Sequence, residues 1–474
     1  MLLRRSTPIF ALLVSFGAAA LTLSGAAAAA ISALGDAPAP PAAVEGFTFV
    51  KTVGRISEYT LTANGLQVLL MPEHSAPVLT CMVTYRVGSR NEVTGTTGAT
   101  HLLEHLMFKG SAGFDRTKGN NIDQFLEGVG AHYNATTWLD RTNYFAELGS
   151  EHLEGYLAIE ADRMRHLLLR EDDRRPEMTV VRNEFERGEN SPMNALEKEL
   201  FAAAYVAQPY HHPTIGWRSD IEKVPIEKLR EFYDTFYWPD NATVSIIGDF
   251  APTAALALVK KYYGAIPRAP KPIPQVTTEE PAQTFPRRVG VRRAGQLGVV
   301  ALAHKMPAAT HPDYPALSVL GTILADGKNS RLYKALTDPG LSTGVSAGTN
   351  FNHDPTLFIT FIPLAPGVEH DKAEKVALAE IAKLRQDGVT AREVETAIAK
   401  NLAATAFQRD GTFAIASNLN ECIAAGDWSL YYTVDEAINR VTPTDVQRVA
   451  RRYLVEDQST TGWFIPILPP EEKP

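Results

Sequence analysis

The chain has 474 residues, 45% of them hydrophobic and 21% charged, which predicts a soluble protein of two or three domains with large cores. A formal net charge of -8, with no basic block, excludes a nucleic-acid backbone as partner. Two cysteines in apolar surroundings, Cys81 and Cys422, predict buried free thiols rather than a disulfide framework.

Residues 1–30 read as a secretory signal peptide: Arg4 and Arg5, an apolar run from Ile9 to Leu23, then small residues that place cleavage near Ala28–Ala30. An uncleaved membrane anchor is the alternative, and the short, alanine-rich run speaks against it. Residues 31–45, with Pro38, Pro40 and Pro41, form a tether. The expected location is the bacterial periplasm, with membrane association left open.

From Glu58 to Val87 the pattern is β, with a hairpin signal at Asn64-Gly65 and a break at Pro72–Pro77. A helix follows over Gly98–Phe108 and another over 119–128, then a strand pair from Tyr133 to Leu148. Helices are predicted at about 150–168, 173–190, 193–207 and 226–236, then a strand at Thr243–Ile247 and a helix over 252–263. Six prolines between Pro267 and Pro286 mark a linker, which separates an N-terminal domain, 46–266, from a C-terminal one, 287–474. Beyond it the order repeats: a strand at Gly298–Ala303, helices at Tyr314–Leu324 and Ser330–Leu336, and strands within Ser342–Phe361. Helices follow at Asp371–Gln386, 391–407, 412–424 and 433–453, with a last strand near Thr461–Ile465. Two halves of similar length and order indicate an internal duplication, and the fold class is α+β, helices packed on sheet faces.

Within the first of these helices, His101-Leu102-Leu103-Glu104-His105 spaces its polar residues i, i+3 and i+4, so all three share one helical face. Two imidazoles a turn apart can hold one divalent metal, and a carboxylate beside them can accept a proton from water; the order is the reverse of the H-E-x-x-H zinc motif. Two histidines do not complete a zinc site. The helix beginning near Asp173 offers Glu177, Glu184, Glu186 and Glu189 as a third ligand, against the alternative of a solvated charged face.

The run Val87-Gly88-Ser89-Arg90-Asn91-Glu92 followed by Gly98-Ala99-Thr100-His101 through Glu104-His105 to Phe108-Lys109-Gly110-Ser111 resembles the signature of the inverted-motif zinc peptidases. That family includes pitrilysin, insulin-degrading enzyme and mitochondrial processing peptidase. Asn134-Ala135, Thr142-Asn143-Tyr144, Glu177 with Glu184, Pro209-Tyr210, Ile215-Gly216, Asn241 to Asp249 and Ser330-Arg331-Leu332 recur in family order, so the resemblance runs from about residue 55 to 465. It implies two homologous domains of the processing-peptidase type, each a mostly antiparallel sheet packed with helices, the first binding zinc and the second an inactive repeat. It implies one zinc ion per chain, with His101, His105 and Glu184 as ligands, Glu104 as general base and Glu177 as a supporting carboxylate. The strand carrying Asn134 and Ala135 resembles the sheet edge that receives extended peptide substrates.

One departure stands out. Active members carry an arginine and a tyrosine after the S-R-L motif, where this chain has Thr337 and Thr343. The resemblance therefore implies an exported endopeptidase for peptides or unfolded segments. It would work as a heterodimer with a related chain that lacks the zinc motif and supplies the Arg/Tyr pair. A non-catalytic scaffold subunit of the same fold is the alternative, although such members typically lose the histidines or the base. A periplasmic solute-binding protein would also have two similar halves, but leaves the H-L-L-E-H context unexplained.

Overall fold

The computed structural model describes residues 44–467; the expected signal peptide and nearly all of the tether lie outside the described residues. The first half contributes seven strands: β1 Phe47–Val53, β2 Ile56–Leu61, β3 Gln67–Pro72, β4 Val78–Tyr85, β5 His132–Thr137, β6 Thr142–Gly149 and β7 Ala242–Gly248. They form one sheet in the order β1-β2-β3-β7-β4-β6-β5, antiparallel except for β3 beside β7. The second half contributes β8 Arg287–Ala294, β9 Val299–Met306, β10 Ser346–Thr349, β11 Thr356–Pro363 and β12 Ser459–Ile467. Their order is β10-β11-β9-β12-β8, again with one parallel pair, β12 beside β8. These two mostly antiparallel sheets with packed helices are the α+β arrangement expected, and no strand or helix lies between Tyr263 and Arg287.

Two strands were not expected from the sequence, and each sits at a sheet edge. β1 alternates half-buried and exposed residues with none fully buried, so it lacks the strong apolar period of a core strand. β8 reads Arg287-Arg288-Val289-Gly290-Val291-Arg292-Arg293, which looks like a surface run. Two of its arginines reach partners: Arg288 forks onto Glu374 with two 2.7 Å bonds, and Arg287 donates to the carbonyls of Ala203 and Ala204. The expected helix 433–453 is two helices, Leu430–Ile438 and Pro443–Tyr453. Thr442 caps the second by accepting the Asp445 N–H while Asp445 accepts the Thr442 N–H, and Pro443 occupies the first helical position. The segment expected as a helix at Ser330–Leu336 closes in a π-type turn over Tyr333–Thr337. A short helix at Arg218–Lys223 also escaped the pattern.

Each half lends a helix to the other half's sheet. Helix Pro192–Ala204 buries Leu196 and Leu200 against Val291, Ala301, Ile359 and Phe464 of the second sheet. Helix Thr412–Ala424 buries Ile415, Leu419 and Ile423 against Leu69, Met82, Phe145 and Ile247 of the first. Cys81 faces the opposite core of that first sheet from Cys422, which leaves both as the buried free thiols expected. Because the exchange is apolar on both sides, pulling the halves apart exposes two cores at once. Leu419→Ala, at a fully buried position, is expected to destabilise the chain by about 2–5 kcal/mol in chemical denaturation. Phe407→Ala, at a side chain 83% exposed, should stay within about 0.5 kcal/mol of the parent.

Candidate metal centre

The H-L-L-E-H motif lies on helix Ala99–Leu106, whose entry is fixed by a close backbone crossing. Gly98 has φ +85°, and a Cβ there would lie 2.4 Å from the carbonyl oxygen of Ile215, so only glycine fits. Glu92, fully buried, accepts the N–H groups of Gly98 at 2.8 Å and Thr100 at 2.7 Å, satisfying donors that the first helical turn leaves free. Asp220 takes the Thr97 N–H at 3.2 Å and its hydroxyl at 2.8 Å, fastening the same loop from the other side.

Leu102, Leu103 and Leu106 are buried in the first core, which turns His101, Glu104 and His105 toward helix Glu171–Glu189. Glu184 on that helix brings Oε2 to 3.7 Å from His101 Nε2 and 3.6 Å from His105 Nε2. One donor atom from each of the three residues lies within 4.8 Å of the others. Of the four acidic candidates, only Glu184 joins the histidines in this set. Glu186 pairs with Arg218 at 3.3 Å, Glu189 pairs with Lys198 at 2.6 Å, and Glu177 stands behind His105. Glu177 Oε1 lies 2.9 Å from His105 Nδ1, and Lys109 reaches its other oxygen at 2.6 Å.

The charge states follow from these neighbours. Burial, helped by His105, depresses the basicity of His101 to about 3, so its ring stays neutral with a lone pair to offer. His105 is raised: burial works against its charge, but the Glu177 hydrogen bond and the carboxylates of Glu104 and Glu184 outweigh it. For Glu177 burial favours the neutral acid, and His105 and Lys109 reverse that, holding it below the usual carboxylate range. Burial pushes Glu104 up, against a hydrogen bond that the Thr137 hydroxyl donates to its Oε2. Two imidazole nitrogens and one carboxylate oxygen converging on one point fit a zinc ion with a fourth position to spare. Beside the set opens a cavity of about 420 Å³ that His101 and Glu184 border.

Asn134 and Ala135 lie on β5, the edge strand of the first sheet, whose other neighbour is open. The side-chain oxygen of Asn134 accepts the Ala135 N–H at 2.9 Å, so the edge covers one of its own donors. Thr337 and Thr343 are elsewhere: Thr337 shares a 2.9 Å hydrogen bond with Ser342, and Thr343 donates to the Pro363 carbonyl. Neither borders the cavity, to which the second half contributes Asn350 alone. Thr137 and Lys109 were not anticipated as site residues. Lys109 stands four residues after His105, a spacing that could have suggested it, whereas Thr137 meets Glu104 only through the pairing of β5 with the sheet.

The second half repeats the order of elements without the motif histidines. Helix Tyr314–Ala325 follows β9 as the motif helix follows β4, and it packs against helix Ala391–Phe407. There Ser318 and Thr322, one turn apart, meet Asn401 on the facing helix. The Ser318 hydroxyl donates to Asn401 Oδ1 at 3.1 Å, and the Asn401 amide donates to Thr322 Oγ1 at 2.9 Å. Three neutral side chains satisfy one another where the first half gathers two imidazoles and a carboxylate.

Two family models match successive stretches of the chain. Residues 67–217 match the family described as Insulinase (Peptidase family M16), and residues 223–401 match the Peptidase M16 inactive domain. The chain is 31% identical over 408 residues to the zinc protease PqqE of Helicobacter pylori, covering 85% of this chain and 91% of that one. It is 24% identical over 424 residues to the mitochondrial-processing peptidase subunit beta of Lentinula edodes, covering 87% and 90%. A crystal structure of a protease from Helicobacter pylori superposes with a TM-score of 0.82 at 30% identity, over 87% of this chain and 100% of that chain. The periplasmic protease PqqL from Escherichia coli shares the fold, with a TM-score of 0.71 at 17% identity over 89% of this chain and 48% of that one.

Proposed function

This chain belongs to the M16 family of peptidases, and from that premise we propose that it is the metal-bearing subunit of an exported zinc endopeptidase of the inverted-motif type. Its substrates would be peptides or unfolded segments. The observation that carries the reading is the meeting of His101, His105 and Glu184 within 4.8 Å, with Glu104 on the same helix. Scaffold members of such a fold typically lose the histidines or the base, and this chain keeps both.

His101, His105 and Glu184 would hold one zinc ion per chain. Zinc there supplies a Lewis acid that polarises the scissile carbonyl and acidifies a water. Glu104 accepts the proton of the attacking water and delivers it to the leaving amine. The Thr137 hydroxyl engages one of its oxygens, which leaves the other for the proton. Glu177 accepts from His105 Nδ1, fixing the tautomer that presents Nε2 to the ligand set, and Lys109 balances its charge. The free edge of β5 suits main-chain pairing with an extended substrate, which would displace the Asn134 side chain from the Ala135 N–H.

Export rests on residues 1–30 and accords with the periplasmic location named for the Escherichia coli structural neighbour. Among the described residues no helix is long and apolar enough to cross a membrane. The site also wants donors for the oxyanion of the tetrahedral intermediate, and Thr337 and Thr343 stand away from it. A second, related chain that carries an arginine and a tyrosine would complete it.

Three outcomes are expected. Glu104→Gln should retain zinc by elemental analysis and lose on the order of 10² to 10⁴ in hydrolysis of a fluorogenic peptide; turnover at the parent rate would refute the base. Glu184→Gln should lower zinc occupancy outright, whereas Glu177→Gln should keep much of the metal and lose roughly 10- to 100-fold in activity. Full and equal occupancy in both would move the third ligand elsewhere. The isolated chain should bind zinc yet hydrolyse peptides poorly. Co-expression with the complementary chain should raise turnover and give a species of about twice the mass by light scattering, a gain of several kcal/mol in transition-state stabilisation. High activity of the chain alone would refute the shared site.

A further inference from the structure

A second cavity, also of about 420 Å³, opens in the other half of the chain. The end of helix Tyr314–Ala325, the turn that follows it and the amino-terminal part of helix Ala391–Phe407 enclose it. Its charged groups are of two kinds. The carboxylates are satisfied. Lys400 reaches Asp326 Oδ2 at 3.3 Å, and Arg331 forks onto Glu393 with bonds of 2.7 and 3.0 Å. The Thr390 N–H and hydroxyl donate to the same Glu393 carboxylate at 2.8 and 2.9 Å. Lys334 and Arg392 border the same space, and neither makes a side-chain hydrogen bond or ion pair among the described residues. A third group is unmatched from within the wall: Ser330 is 5% exposed, and its Oγ has no hydrogen-bond partner. An ammonium, a guanidinium and a buried hydroxyl are thus left around one space, and each of them can donate.

We propose that this cavity binds a phosphoryl group, as the free ion or as the monoester of a small molecule, with Lys334, Arg392 and Ser330 as its donors. The site lies in the half without the metal set, and it stands whether or not the chain is a peptidase. Two unpaired cations on one concave wall raise a positive potential that the walls focus, and an anion relieves their repulsion. A phosphoryl group carries close to two negative charges and three acceptor oxygens, which matches two cations and a hydroxyl. The guanidinium can take two of those oxygens in parallel, and the ammonium acts as a point charge. A ligand oxygen also removes the cost of leaving the Ser330 hydroxyl unpaired. A carboxylate brings one charge and leaves one cation unmatched. A metal cation is disfavoured, because Asp326 and Glu393 are already engaged by Lys400 and Arg331. The space is of the size that holds a small organic ligand, so it has room for the body of an ester beyond its phosphoryl head.

The test is isothermal titration calorimetry of the full chain with inorganic phosphate, glycerol 3-phosphate and acetate at constant ionic strength. Each titration is run with zinc and again after chelation, because phosphate can also ligate a metal. The two phosphates should bind saturably at one site in both conditions, and acetate should bind weaker by roughly tenfold or more. Lys334→Gln and Arg392→Gln should each weaken phosphate by roughly tenfold or more, and Ser330→Ala by less. Lys334 and Arg392 are exposed, so these two changes leave the fold in place, which thermal denaturation without ligand checks. Lys328→Gln removes an exposed charge from the same turn, outside the cavity, and should change affinity by no more than about twofold. Tighter binding of glycerol 3-phosphate than of phosphate assigns the site to an ester, and equal binding assigns it to the free ion; both uphold a phosphoryl ligand. The proposal is overturned if neither phosphate saturates, if acetate binds as well, or if binding vanishes on chelation. It is also overturned if affinity survives both Lys334→Gln and Arg392→Gln, or falls as far in Lys328→Gln.

Discussion

Glu177 reaches the motif helix and the turn after it at once, His105 at 2.9 Å and Lys109 at 2.6 Å, and the candidate metal centre depends on that clamp. The three candidate ligands come from two helices separated by more than sixty residues of chain, so their convergence is a tertiary fact. Glu184 stands two turns along the same helix from Glu177, and fixing one fixes the approach of the other. The clamp also decides which ring nitrogen of His105 remains free. A single carboxylate thereby sets the spacing of the helices, the tautomer of one candidate ligand and the local charge balance.

The clamp works only because the motif helix cannot slide. Its amino end is held by Glu92, Asp220 and the Gly98–Ile215 crossing, and its apolar face is packed into the first core. Behind that core, the helix borrowed from the second half covers the other face of the sheet. The wall of the cavity beside the metal set shows the reverse exchange, since helix Pro192–Ala204 belongs to the first half in sequence but packs on the second sheet. Any shift between the halves would move the pocket wall against the metal set.

Much of this is legible in the amino-acid sequence. Motif spacing placed His101, Glu104 and His105 on one face because a helix imposes that geometry locally. The long helices were readable from apolar periodicity, and helix bounds such as 226–236, 252–263 and 412–424 matched because each ends at proline, glycine or a clear change of pattern. The third partner was not decided by spacing: Glu177, Glu184, Glu186 and Glu189 share one helix, and only the tertiary partners Lys109, Arg218, Arg293 and Lys198 sort them. β1 and β8 were hidden for a related reason. Edge strands are half-solvated: both alternate half-buried with exposed residues, but almost none of their side chains is fully buried, so the apolar signal is weak. Thr137 is not legible in the sequence because it acquires its meaning from a neighbour distant in sequence.

The hydrogen-bonded triad of Ser318, Thr322 and Asn401 gives the two halves different dependencies on their surroundings. In the second half the helix pair closes on neutral groups that satisfy each other, so its packing is indifferent to chelators and to zinc supply. In the first half, two imidazoles and a carboxylate are brought together whose mutual arrangement a cation would tighten. Because each sheet is covered in part by a helix from the other half, the two cores stand or fall together whatever the ionic conditions. A cation lost from the first half would loosen one helix pair there and leave the neutral pair of the second half as it stands.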